Sequence, residues 1–169
     1  MSDEMVRIEG PPIGRIFDEV ADTLKFCNAR FYAFPAALVA CSAINAIGSF
    51  LRVDAEKSAT YPPNKDRFAA CIERYFPDKY HNVSARLWES LRCALSHGLT
   101  VGRDVAVSCR GDRRHLHLGE VDGWLFVSML ELAEDLAKAI SSYSSDLETD
   151  VKLQSNFRLR VKLEADGKP

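Results

Sequence analysis

The 169-residue sequence lacks the short motifs that mark the common cofactor and nucleophile chemistries. There is no Gly-rich phosphate loop, no Gly-x-Ser-x-Gly elbow and no closely paired carboxylates on a shared face. No Cys-x2-Cys occurs, so the usual zinc frameworks have no starting point. There is no internal repeat and no low-complexity tract, which excludes solenoids and disordered linkers as the organising principle. Net charge is also scarce: 22 Lys and Arg stand against 24 Asp and Glu. No global field draws the chain to nucleic acid or an anionic membrane, so any basic site must be local. The start of the sequence, Met1-Ser2-Asp3-Glu4, lacks the charged and apolar regions of a secretory signal. The five cysteines (Cys27, Cys41, Cys71, Cys93, Cys109) are odd in number and scattered through apolar helical contexts, where a free thiol behaves as a small hydrophobe. Together these features predict a cytoplasmic protein in a reducing compartment.

What is present is helical periodicity over a length that fits one domain, 1–169, with its own core. Pro11-Pro12 opens a first helix, with Ile13, Ile16, Phe17, Val20, Leu24, Cys27 and Phe31 on one stripe. A second helix runs from about Pro35 to Leu51 and is apolar nearly all round. The stretch Ala33 to Leu51 is about long enough to span a bilayer. Its apolar content is mostly Ala, and the amphipathic helices around it can wrap it, so it reads as a buried helix and no membrane partner is expected. Ser42, Asn45 and Ser49 share one face, as a paired polar seam or as the wall of a site.

Asp54 to Pro63 reads as a polar connection. Asn64 then caps a shorter helix through Phe68, Ile72 and Phe76, which Pro77 stops. Asn82 or Ser84 starts the next helix, with core face Leu87, Trp88, Leu91 and Leu95 and a left-handed cap expected at Gly98. The period then changes. Val105, Val107 and Cys109 alternate, Gly111 to Arg114 reads as a turn, and His115 to Leu118 follows, predicting a β-hairpin over about 105–119. Asp122 is expected to cap a long helix carrying Trp124, Leu125, Met129, Leu132, Leu136, Ile140 and Tyr143. After a Ser-rich joint, Ser145-Asp146-Leu147-Glu148 has capping-box spacing. Phe157 to Leu163 alternates strictly, which predicts a C-terminal strand, with a continuous helix to Lys162 as the alternative. Glu164 to Pro169 reads as a tail. The fold class expected is mainly α: an antiparallel helical bundle over about 13–143 with a small hairpin insertion, and a C-terminal extension over 144–169.

The chemistry is concentrated at Arg92-Cys93-Ala94-Leu95-Ser96-His97-Gly98. Five residues separate Arg92 from His97, which on a regular helix sets them roughly 140° apart. A helix ending near Gly98 lets the histidine swing towards the arginine. Such a pair suits phosphodiester cleavage without a metal: guanidinium holds phosphate and stabilises transition-state charge, and imidazole moves protons near neutral pH. A helix C-terminus favours the protonated ring. The alternative is structural, with Arg92 ion-paired to Glu89 and His97 part of an ordinary helix end.

Arg-x4-His at a helix end, preceded by Leu87-Trp88-Glu89-Ser90-Leu91 and followed by Gly98-Leu99, resembles the signature of the HEPN superfamily (higher eukaryote and prokaryote nucleotide-binding domains). The order of elements from Ile13 to Tyr143 is similar as well. The resemblance implies a helical bundle that forms a homodimer, with the two motifs meeting across the interface. It further implies metal-independent endoribonuclease activity in toxin–antitoxin or phage-defence systems, with RNA as substrate and an antitoxin or other protein as partner. On this resemblance Arg92 is the phosphate-binding group and His97 the acid/base. The position after the arginine, commonly Asn, Asp or His, is Cys93. The competing class is a non-catalytic helical dimer serving as a protein-interaction or regulatory module.

Arg103, Arg110, Arg113, Arg114, Arg158, Arg160 and Lys162 concentrate positive charge outside the expected bundle. They read either as an RNA-phosphate surface or as the solvated, aggregation-resistant face of an edge strand. Cys109, His115 and His117 suggest zinc, yet no fourth ligand accompanies them, so no metal and no cofactor is expected.

Overall fold

A computed structural model describes residues 13–51, 63–98 and 100–165. Pro11-Pro12, the connection from Asp54 to Pro62, Leu99 and the end of the tail lie outside the described residues. The fold is mainly α, a helical bundle with a small three-stranded sheet. Helices α1 (Ile13–Ala29) and α2 (Ala33–Leu51) form an antiparallel pair joined by a tight turn. α2 carries no charged residue in 19, and burying it organises the rest. Helices α1, α3 (Asn64–Tyr75), α6 (Met129–Thr149) and α7 (Val151–Ala165) all pack against it, as do strand β1 (Val105–Ser108) and the helix bearing the motif.

Small side chains let neighbours come close: Ala36, Ala37, Ala40 and Ala43 are buried. A β-carbon on Gly48 would fall 1.8 Å from the Arg67 carbonyl oxygen of α3. α2 passes membrane-span tests of length and hydropathy, but half of the tested window is buried by protein. The polar face is divided: Ser42 is exposed, the Ser49 hydroxyl donates to the Ala46 carbonyl, and Asn45 Oδ1 is buried without a partner. On α1, Phe17, Leu24 and Cys27 are buried as the stripe requires, whereas Ile16 and Phe31 are exposed. Phe31 lies beyond the helix in the turn, at φ 59°.

Four local expectations are corrected. Residues 105–119 are not a hairpin: β1 is followed by a 3-10 turn over Gly111–Leu116, and it pairs in parallel with β3 (Trp124–Ser128), Val105 opposite Leu125. The hairpin is β2 (Glu120–Val121) with β3, sheet order β1-β3-β2. Its turn is Asp122-Gly123, both at positive φ (53° and 81°), the backbone of a type I′ turn. Asp122 therefore caps no helix, and Trp124 and Leu125 are strand residues. α6 begins at Met129, with Ser128 Oγ accepting from the Glu131 amide.

The third correction concerns the Ser-rich joint and the capping box, which lie inside α6. Tyr143 is fully buried there, and Arg74 and Tyr75 bond Asp146 from α3. Fourth, residues 157–163 are helix. The Asp150 carboxylate accepts from the amides of Lys152 and Leu153 and starts α7. Leu153 joins the core, and Phe157 packs on Phe50 with ring centroids 5.1 Å apart. The sheet feeds the opposite end of α6, so no strand edge is within reach. A smaller difference is that Asn64 is the first residue of α3 rather than its cap.

Because the Gly48 approach is backbone against backbone, side-chain rotation cannot relieve it. Gly48→Ala is expected to destabilise the fold by about 3 kcal/mol or more, read as a lowered urea midpoint; an unchanged midpoint would show that α2 and α3 separate at little cost.

Candidate functional site

The motif helix is not regular. It follows a 3-10 turn over Asp78–Val83, runs as α over Ser84–Arg86 (α4), widens to π over Leu87–Cys93 and returns to α over Ala94–Gly98 (α5). A π stretch closes i→i+5 bonds and recurs at functional sites. The uniform 100° step behind the 140° separation of Arg92 and His97 therefore does not hold across the turn that carries Arg92.

The widened turn meets the neighbouring loop. The Ser90 carbonyl accepts from the Gly102 amide at 2.6 Å. This contact needs glycine, since a β-carbon at position 102 would lie 2.6 Å from that of Ser90. The Ser90 side chain bonds Asp104, which, with Arg86, keeps that carboxyl below the usual range. Arg86 completes the clasp: Nε to Asp104 Oδ2 at 2.9 Å, Nη1 to Glu120 at 2.7 Å, Nη2 to the Asp104 and Gly123 carbonyls. The loop that follows the motif is thus tied back to the turn before Arg92.

Arg92 is half-buried, its guanidinium 4.7 Å from the Trp88 ring centroid. It does not pair with Glu89, which takes Lys65 at 2.7 Å. Among the described residues no carboxylate pairs with Arg92. Beneath it lies the fully buried Cys41 of α2, whose thiol is pushed up to about 12 by burial, against the lowering influence of Arg92. Cys93, next to the arginine, is half-buried. His97 is exposed near the end of α5. Gly98 does not adopt the expected left-handed cap, since among the described glycines only Gly123 has positive φ; it remains helical.

The basic residues do not form one surface. Arg114 is committed to Glu131 and Glu134 near the start of α6 (2.6 and 2.7 Å). Arg113 lies 3.8 Å from Asp112, and Arg103 and Arg110 are exposed. Arg158, Arg160 and Lys162 sit on α7, which follows the C-terminal end of α6 and packs on α2. Being helical, they do not share the strand face expected of them.

Cys109, His115 and His117 are likewise not gathered, and no group of three metal-ligand side chains occurs among the described residues. His115 is exposed in the 3-10 turn. His117 belongs instead to a polar network that sequence reading missed. The Ser128 amide donates to Nδ1 at 3.2 Å, so Nε2 carries the hydrogen and donates to the Tyr80 hydroxyl at 2.8 Å. Tyr80 donates to Asp135 at 3.0 Å, and Lys79 and Lys138 pair with the same carboxylate. Burial, helped by Lys79, pulls His117 down to about 4. Asp135 and Tyr80 gave no sequence signal beyond one acid on the core side of a helix. A cavity of about 440 Å³ between α1 and α6 is lined by residues such as Ala21, Leu24, Ala133 and Ile140, and neither Arg92 nor His97 borders it.

No family model, no curated protein and no solved structure matches the chain.

Two measurements follow from this geometry. With His117 at about 4 when folded and at 6.5 when unfolded, the unfolded chain binds the extra proton between those values. Stability is therefore whole above about pH 6.5 and falls as the pH drops towards 4. His117→Gln is expected to flatten the pH dependence of the urea midpoint between pH 6.5 and 4.5, above the range in which Asp135 titrates; an unaltered slope would remove His117 as its source. Gly102→Ala is expected to cost about 1–3 kcal/mol and, in a Trp124→Phe background, to shift Trp88 emission as the π turn relaxes; an unmoved spectrum would mean that the loop does not set that turn.

Proposed function

We propose that this chain is a HEPN-like protein that binds RNA and cleaves its phosphodiester backbone without a metal, through Arg92 and His97. In this reading it acts as a cytoplasmic homodimer in a toxin–antitoxin or phage-defence setting. The observation that carries the reading is the state of Arg92: a half-buried arginine with no carboxylate among the described residues, held over the Trp88 ring at 4.7 Å and set on a π turn. A guanidinium held this way keeps its donors for an incoming anion. Arginine planes bound to aromatic faces also suit phosphate and base recognition.

The chemistry assigned is transphosphorylation within RNA. The 2′-hydroxyl attacks the adjacent phosphorus, the 5′-oxygen leaves, and a cyclic phosphate forms. Arg92 stabilises the charge that grows on the non-bridging oxygens. His97 transfers the proton to the departing 5′-oxygen. A second copy supplies a second Arg92–His97 pair, so that one imidazole accepts the 2′ proton while the other donates. One observation favours the non-catalytic reading, a helical interaction or regulatory module: among the described residues nothing hydrogen-bonds His97, so no described group sets its tautomer.

Purified protein incubated with structured and single-stranded RNA in chelator separates the two. Wild type is expected to cleave, Arg92→Ala to lose about 10²-fold or more and His97→Ala a comparable amount. Equal activity in all three, or none in any, would leave the interaction module standing and end the nuclease.

A further inference from the structure

The turn between α1 and α2 exposes a cluster of aromatic side chains. Phe26, Phe31, Tyr32 and Phe34 are between 46 and 67 % exposed, all within nine residues. Leaving such rings partly in water forgoes hydrophobic stabilisation, and contiguous exposed apolar surface marks an interaction site. The backbone is strained where it presents them: Phe31 is held at φ 59°, a conformation unfavourable for a side-chain-bearing residue. Phe26 and Tyr32 meet edge to face, centroids 6.2 Å apart, rather than stacked. Each of the two rings is still about half exposed.

From Thr23 to Leu51 the sequence has no Asp or Glu; of its two cations Lys25 is paired with Asp22 at 3.2 Å, and Arg30 lies 5.8 Å over the Phe26 ring. The surface also leads somewhere. Phe34, Leu38 and Ser42 follow at four-residue steps on α2, exposed at both ends of that line and half-buried in the middle. Arg92 stands close to Cys41, seven residues or about 10 Å along the helix from Phe34.

We infer that the α1–α2 turn is a stacking platform for single-stranded RNA, its bases lying on Phe31, Tyr32 and Phe34, its phosphates meeting Arg30, and its strand running along α2 towards Arg92. Exposed aromatic rings beside an arginine suit bases that are not paired. An anionic bilayer would be met by a larger basic cluster than two cations. The inference deepens the RNA reading of Arg92 and His97 and rests on it for the direction of the strand.

The experiment compares a fluorescein-labelled twelve-nucleotide oligouridylate with an abasic oligomer of equal length and charge, by anisotropy. The proteins are wild type, Phe31→Asn with Tyr32→Ser, Phe34→Ser, and Arg92→Ala. Both tip variants alter exposed side chains, and Asn tolerates the backbone at position 31, so thermal midpoints should hold. The double variant is expected to weaken oligouridylate about tenfold or more and to leave the abasic oligomer unchanged. Unchanged oligouridylate affinity, or equal losses on both oligomers, overturns the platform. So does flotation with phosphatidylcholine–phosphatidylserine vesicles that the double variant abolishes, or a dimer that it dissociates, since the tip is then a membrane or self-association surface. If the tip variants weaken binding while no protein cleaves RNA, the nuclease reading fails and the platform stands; cleavage lost in Arg92→Ala with tip variants unaffected is the reverse.

Discussion

A 19-residue helix without a single charge has to be kept from water, and the other elements are arranged around that requirement. Ile44 and Ile47 each contribute roughly 1.5–3 kcal/mol by being enclosed. The alanines between them contribute little individually, but allow the surrounding backbones to approach. α2 therefore acts as a thin axle, packed by α1, α3, α6, α7 and the motif helix. Among the described residues Phe34, Pro35, Ser42 and Ala46 of α2 stay exposed, so the wrapping is incomplete along part of the helix.

The polar contacts do a different job: they join the small sheet and the motif helix to this axle. Opening the helical ladder to π forgoes α-type bonds, which the Gly102 amide and the Asp104–Arg86 clasp offset from outside. The same loop follows His97 in sequence, so the two halves of the motif are tied through Ser90 as well as through the helix. At the other side of the sheet, Tyr80, His117 and Asp135 form a satisfied buried chain, with two lysines on the carboxylate. Such a network is costly to break one member at a time. It locks the β3–α6 junction by using the Ser128 amide, at the residue that also caps α6.

Some of this was legible in the residues and some was not. Helical stripes were readable because α-helical burial follows local spacing: Leu87, Leu91 and Leu95 are buried, as are Leu132, Leu136 and Tyr143. The alternation at Val105 and Val107 located a strand but not its partner, because β1 pairs in parallel with a strand some twenty residues on. Asp122-Gly123 carried a hairpin signal that was outweighed by the apolar run after it, since Trp124 and Leu125 fit a helix stripe as well as a strand. In α7 the alternation of Phe157, Leu159 and Val161 misled for a simpler reason: Asp150 starts a helix, and no sheet edge is near. The candidate site divided in the same way. Arg92 and His97 stood out by residue type and spacing, whereas Tyr80 and Asp135 did not, their roles arising from contacts 55 residues apart in sequence.

The sequence by itself determined the helical class, the burial of α2 and the placing of Arg92 and His97 at a helix end. These follow from periodicity and from the cost of wetting apolar side chains, both local properties of the chain. Tertiary structure alone decided the parallel pairing of β1, the π turn, the freedom of Arg92 from Glu89 and the commitment of Arg114 to Glu131 and Glu134. Each of those depends on which distant group a carbonyl, carboxylate or strand edge meets, and composition and spacing carry no information about that meeting.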